Sequence, residues 1–249
     1  MQNPNDILAQ AQQNQRAGNI SLALEQFQQV LLQHPKEIGL HIACGNLCVE
    51  LNRFEEAAGY FRYIVNASKK NSDAKNALCF ALQGLGNQAH LAANFILAEA
   101  CFEEILQYQA SNAIYWYNLG NAQRELGKTK SALASFTQSI LLDPTDADAQ
   151  NNLGNIQREL GQLEKAITSY MRALQLNPQL HHALAHLVHQ KQHMCDWADL
   201  DAQISQLRDW VMHEPKAQIS PFAFIAMPGT TPLEQKYCAT NWANNLYKA

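Results

Sequence analysis

Small and apolar side chains return along this chain at a long, nearly fixed interval. Ala23, Ala57, Ala98, Ala132 and Ala166 stand 34, 41, 34 and 34 residues apart. Four residues after each comes a ring: Phe27, Phe61, Phe102, Phe136 and Tyr170. Twelve residues before each stands a small residue: Ala11, Gly45, Gly86, Gly120 and Gly154. A period near 34 with this grammar predicts stacked helical hairpins, in which the two small positions let paired helices approach closely. Segment 113–146 carries the pattern most fully. Trp116 and Leu119 lie three apart on one helix face. Gly127 ends the first helix where left-handed backbone is wanted, and Pro144 ends the second. Segment 147–180 repeats the scheme with Leu153, Gly154, Gly161, Ala166, Tyr170 and Pro178.

Three further segments keep the register more loosely. Segment 4–37 has Gly18, Ala23, Phe27, Val30 and Pro35. Segment 38–71 has Gly45, Leu47, Ala57, Phe61 and Ile64, with Lys69 in place of the proline. Segment 79–112 has Leu85, Gly86, Ala98, Phe102 and Ile105, with Ala93 in place of the turn glycine. The step of 41 implies seven extra residues, and the polar stretch from Ser68 to Asp73 is expected to hold them as a longer loop.

These units resemble the tetratricopeptide repeat. The resemblance implies an all-α, right-handed solenoid, with five hairpins over 4–180 and a C-terminal helical extension. It also implies that the first helix of each hairpin lines a concave groove, with its sixth and ninth positions pointing inward. The ninth position reads Gln12, Asn46, Asn87, Asn121 and Asn155, and the sixth reads Asn118 and Asn152 in the two best units. Asparagine is a poor helix-interior residue, so its recurrence at one phase needs a reason. Its amide offers two donors and an acceptor, suited to gripping the backbone of an extended peptide. The alternative is that repeat duplication copied a neutral polar residue. One turn further on, Arg124/Glu125 and Arg158/Glu159 add charge, as groove contacts or as a solvated face.

Past Pro178 the sequence begins another hairpin and does not visibly finish it. His182, His186, His189 and His193 form one helical stripe, expected to line the groove rather than bind metal, because no carboxylate or cysteine partners stand at a fixed offset. Cys195-Asp196-Trp197 follows, then an amphipathic helix with Leu200, Ile204, Leu207 and Val211, then Ser220-Pro221-Phe222. Thr231-Pro232-Leu233-Glu234 opens a last helix carrying Tyr237, Trp242 and Leu246.

This junction, with Val188-His189 before it, resembles the repeat-to-catalytic boundary of protein O-linked N-acetylglucosamine transferases of the SPINDLY-like and bacterial types. The resemblance implies a capping helix and junction over 181–199, and an extension over 200–249 that would lead into a glycosyltransferase domain. It also matches His189 to a histidine that the family presents to its active site. The family's sugar-nucleotide lobes alternate strand and helix, and no such series stands in this sequence, so no catalytic residue is assigned. The apolar side chains Leu200, Ile204, Leu207, Trp210, Val211, Trp242 and Leu246 exceed what a short cap needs. They are expected to be partly uncovered and to promote self-association, with a soluble array left by a cut after about Gln192.

Composition narrows the partners. The formal net charge is -4 with a pI near 6.1, against a nucleic-acid binder or a polybasic membrane anchor. No apolar run approaches the ~20 residues that span a bilayer. Residues from Met1 to Asp6 show neither a charged n-region nor an apolar h-region, so a cytoplasmic location is expected. The six cysteines, Cys44, Cys48, Cys79, Cys101, Cys195 and Cys238, include no Cys-x-x-Cys pair and read as small buried hydrophobes. Gly84-Leu85-Gly86-Asn87-Gln88-Ala89 matches a dinucleotide fingerprint by letter, but inside a helix with no strand before it. No cofactor or metal is expected. The expected function is protein binding, with extended peptide clients and a separate glycosyltransferase catalytic domain as candidate partners. The alternative is a stand-alone adaptor unrelated to glycosylation.

Overall fold

A computed structural model describes residues 3–246. Every regular element among them is a helix: α1 Pro4–Arg16, α2 Ile20–Gln33, α3 Ile38–Glu50, α4 Phe54–Ala67, α5 Ser72–Leu91, α6 Phe95–Leu106, α7 Ala113–Glu125, α8 Thr129–Leu142, α9 Ala147–Glu159, α10 Leu163–Leu176, α11 His181–His193, α12 Leu200–His213, α13 Pro221–Ile225 and α14 Pro232–Leu246. Two compact units divide at Leu126 and Gly127.

In the first unit α1 pairs with α2, α3 with α4 and α5 with α6, and each second helix packs on the next first helix, ending with α6 on α7. The glycines explain the close pairing. A methyl group on Gly45 would lie 2.7 Å from the Phe61 ring, and one on Gly86 would lie 3.0 Å from the Phe102 ring. Ala23, Ala57, Ala98 and the rings Phe27, Phe61 and Phe102 are buried in one continuous core. Both glycines of the fingerprint-like stretch lie inside α5, where a methyl on Gly84 would meet the Phe54 ring at 2.6 Å. They serve helix packing, not a phosphate loop.

The left-handed position after each first helix recurs. Gly18, Asn52 and Ala93 hold φ of 79°, 56° and 56° in the first unit, and Gly127, Gly161 and Cys195 hold 69°, 72° and 54° in the second. The seven extra residues of the third repeat do not form a loop. α5 has 20 residues where α3 has 13, so the helix itself absorbs them. Its first turn is capped by Asn71, whose side chain accepts from the Ala74 backbone N–H at 2.9 Å. A good cap and the run Ala74-Lys75-Asn76-Ala77-Leu78 favour helix over loop.

In the second unit α9 packs on α8 and on α10, α10 on α11, and α11 on α12, with α14 against α12 and α13. The sixth hairpin is complete. Cys195 takes the left-handed position 34 residues after Gly161, and Leu200 and Ile204 stand 34 residues after Ala166 and Tyr170. Val188 replaces the small residue. The volumes compensate: a branched residue faces the slot where the ring has become an isoleucine, and both are buried in one cluster.

That cluster also corrects the expected uncovered surface. Leu200, Ile204, Leu207, Trp210 and Val211 are all buried, together with Leu184, Leu187, Phe224, Met227 and Cys238. Trp242 is half-buried, and the side chain of Leu246 lies outside the described residues. A cut after Gln192 would therefore uncover the α11 side chains that α12 covers, and would not trim a loose appendage. The buried Lys191 holds the turn between α11 and α12. Its Nζ donates to the Ala198 carbonyl and stands 3.7 Å from the Asp196 carboxylate. The α14 start is a reciprocal cap: Glu234 accepts from the Thr231 N–H at 2.6 Å and hydroxyl at 2.8 Å, and from Arg208 at 2.8 Å.

Candidate functional site

Three clefts repeat along the first-helix face of the first unit. The first, about 550 Å³, is lined by Gln12, Phe27 and Val30 with Leu40 and Ala43 of the next first helix. The second, about 280 Å³, has Asn46, Phe61 and Ile64 with Ala74 and Ala77. The third, about 330 Å³, has Asn87, His90 and Phe102 with Asn118 and Asn121. Each joins a ninth-position polar side chain, the ring of the same hairpin and the following first helix. Gln12, Asn46 and Asn87 are exposed, Asn118 and Asn121 half-buried. The seven-residue insertion lies at the start of α5, before Asn87, so it leaves the cleft register intact.

The second unit carries the same positions in another state. The Tyr170 hydroxyl donates to Asn155 Oδ1 at 2.9 Å, and burial pushes this phenol up to about 12. Asn152 is buried, and its Oδ1 accepts from Asn151 at 3.5 Å. His186, at the sixth position of the sixth hairpin, meets Asn151 Oδ1 at 3.3 Å through Nδ1. Burial holds His186 down to about 3, with Arg158, His182 and His189 adding to the effect. His189 takes the ninth position, and its Nε2 lies 3.3 Å from that of His193. Its pKa is lowered by burial, then by His193 and Arg158. His182 is lowered by burial too, with Asp148 opposing. In all three the shift favours the neutral imidazole.

Arg124 pairs with its neighbour Glu125 at 2.8 Å in the first unit. Arg158 is half-buried in the second, close enough to depress two histidines. Among the described residues no group of three His, Cys, Asp or Glu side chains converges as a metal would require, and no helix is long and apolar enough to cross a membrane. All six cysteines are free, and only Cys195 is exposed. Of the expected groove residues, Gln12, Asn46, Asn87, Asn118 and Asn121 line the three clefts of the first unit. Sequence reasoning missed that Gln12, Asn46 and Asn87 are exposed while Asn152 and Asn155 of the second unit are bonded to neighbouring side chains. The signal available was Tyr170 in place of phenylalanine, which brings a hydroxyl that burial obliges to find a partner.

Comparison with known proteins fits this architecture. Tetratricopeptide-repeat family models match residues 8–74, 113–146 and 147–180, more than half of the chain. No curated protein matched. Among solved structures, YrrB, described as a TPR protein with an unusual peptide-binding site, is 18% identical at a TM-score of 0.58, over 76% of this chain and 93% of its own. MamA is 19% identical at 0.54, over 69% of this chain and 95% of its own. A mutant O-GlcNAc transferase of Thermobaculum terrenum is 27% identical at 0.51, over 58% of this chain and 28% of the transferase. The 34-residue register, the recurring left-handed turns and the matched repeats together establish that this chain belongs to the tetratricopeptide-repeat family.

Proposed function

We propose that the chain is a protein-interaction module that holds an extended polypeptide along the first-helix face. The observation that supports this most is the threefold recurrence, in the first unit, of one cleft with one polar side chain beside one ring. Amides in register offer donors and acceptors to a peptide backbone, while the ring and aliphatic floor receive side chains between them. Exposed asparagine disfavours helix, and a binding role accounts for its retention at the same phase. Peptide binding by YrrB, a neighbour of the same fold, is in keeping with this reading. The six unpaired cysteines fit a reducing, cytoplasmic setting. To test the reading, a binder is selected from a random extended-peptide library and measured against the Asn46→Ala, Asn87→Ala double variant. The expected outcome is about a tenfold loss of affinity from two lost hydrogen bonds, with helicity unchanged. Equal affinity would mean that the amides are inherited copies.

A finer reading rests on the 27% identity to the O-GlcNAc transferase and on the junction residues Cys195-Asp196-Trp197 and Ser220-Pro221-Phe222. In it, the module recruits substrates for a glycosyltransferase of that kind, whose catalytic lobes lie elsewhere in the same or another polypeptide. His189 would then face those lobes. A stand-alone adaptor is the competing reading. Calorimetry with isolated transferase lobes separates the two: saturable binding supports recruitment, and its absence supports the adaptor. On either reading these residues give no saturable heat with UDP alone.

A further inference from the structure

The largest of the clefts described for this chain lies apart from the ladder. It sits between the second helices α2 and α4, measures about 770 Å³, and is lined by Glu25, Gln28, Leu32, His41, Tyr60 and Tyr63 among others. We infer that this cleft is a second ligand site, one that takes an arginine side chain of a partner polypeptide. It lies beyond the extended-peptide reading and does not depend on it.

The cleft is built rather than incidental. His41 is 8% exposed. Its Nε2 meets the Pro35 carbonyl at 2.9 Å. A carbonyl only accepts, so Nε2 donates, and Nδ1 is buried without a partner. The His41 ring stacks on Tyr63 at 3.9 Å and 12°, and meets Tyr60 edge-on at 5.9 Å. Gln28 fixes Tyr60 in turn, donating to its hydroxyl at 3.0 Å. Three rings are thus held in set orientations. Yet Tyr63 remains 37% exposed and Leu32 85% exposed.

Charge selects the occupant. Glu25 is the one carboxylate of the lining, no lysine or arginine lines the cleft, and Glu25 makes no ion pair with another described residue. Ring faces carry negative quadrupole charge, so an anion is repelled twice. A neutral apolar ligand would cover the Glu25 carboxylate without compensating it. A cation answers both the rings and the carboxylate. Arginine answers them better than lysine: its guanidinium is planar, weakly hydrated, stacks on rings and presents a fork to a carboxylate.

The test uses the isotope-labelled full chain and the peptide acetyl-Gly-Arg-Gly-amide, followed by NMR. The peptide should shift signals of Gln28, His41, Tyr60 and Tyr63 and leave those of Asn46 and Asn87 in place. Replacing its arginine with citrulline, the neutral isostere, should weaken binding about five- to tenfold. Glu25→Gln, an exposed change on α2, should weaken it about threefold with the melting temperature unchanged. Tyr63→Ala should abolish it. Shifts centred on the ladder face, or none at all, would overturn the assignment. So would a citrulline peptide that binds as well as the arginine one.

Discussion

The hydroxyl of Tyr170 donates to the side-chain oxygen of Asn155 at 2.9 Å. Tyr170 is fully buried, so this bond satisfies a group that would otherwise be stranded. The ladder amide at position 155 is therefore structural, whereas Asn87 at the equivalent position is exposed. Asn155→Ala should cost about 1–3 kcal/mol of stability by orphaning the hydroxyl. Asn87→Ala should leave stability level or slightly raised, since alanine is the better helix former. Equal denaturation midpoints for the two variants would refute the division.

Glycines in neighbouring helices of one hairpin should respond in opposite directions. Gly45→Ala drives a methyl to 2.7 Å from the buried Phe61 ring and should destabilise by about 1–3 kcal/mol. A methyl on Gly59 in α4 would meet nothing within 4 Å, so Gly59→Ala should stabilise by about 0.5–1 kcal/mol. Chemical denaturation of both decides whether close approach, rather than chain flexibility, keeps glycine at position 45.

Much of this was legible in the sequence because the repeat states its geometry through side-chain size. Gly154 opposite Tyr170 and Gly45 opposite Phe61 announce close helix pairs, and Gly127 and Gly161 announce left-handed turns. The register of the sixth hairpin escaped because Val188, Leu200 and Ile204 fill the same space with different volumes. The α5 extension escaped because the polar stretch from Ser68 to Asp73 runs from a turn straight into the helix start at Ser72, and polarity alone does not separate the two. The burial of Trp210 and Val211 depends on α13 and α14 folding back, which no local pattern specifies.

His186 should make the protein acid-sensitive. Unfolded, it takes up a proton near its ordinary 6.5; folded, only near about 3. The unfolded state therefore binds more protons between these values, and stability falls as pH drops through that window and is whole above it. His186→Asn, which restores the residue found at positions 118 and 152, should lose less melting temperature between pH 7 and pH 5 than the parent. An equal or larger loss would contradict the assignment.

Thiol chemistry offers an independent check on the C-terminal turn. Burial pushes Cys44 to about 12 and Cys48, Cys79, Cys101 and Cys238 to about 11, whereas Cys195 is exposed. Native protein should take up one equivalent of maleimide, and Cys195→Ser should take up none. A second fast-reacting thiol would show that the core opens more readily than its packing implies.

The central claim is that one extended polypeptide runs along the repeated clefts of the first unit. Photo-cross-linking residues placed singly at positions 12, 46 and 87 test it directly, using one selected peptide. The three positions should capture different peptide residues in monotonic order along its sequence. Capture of the same peptide residue from all three positions, or none from any, would contradict it.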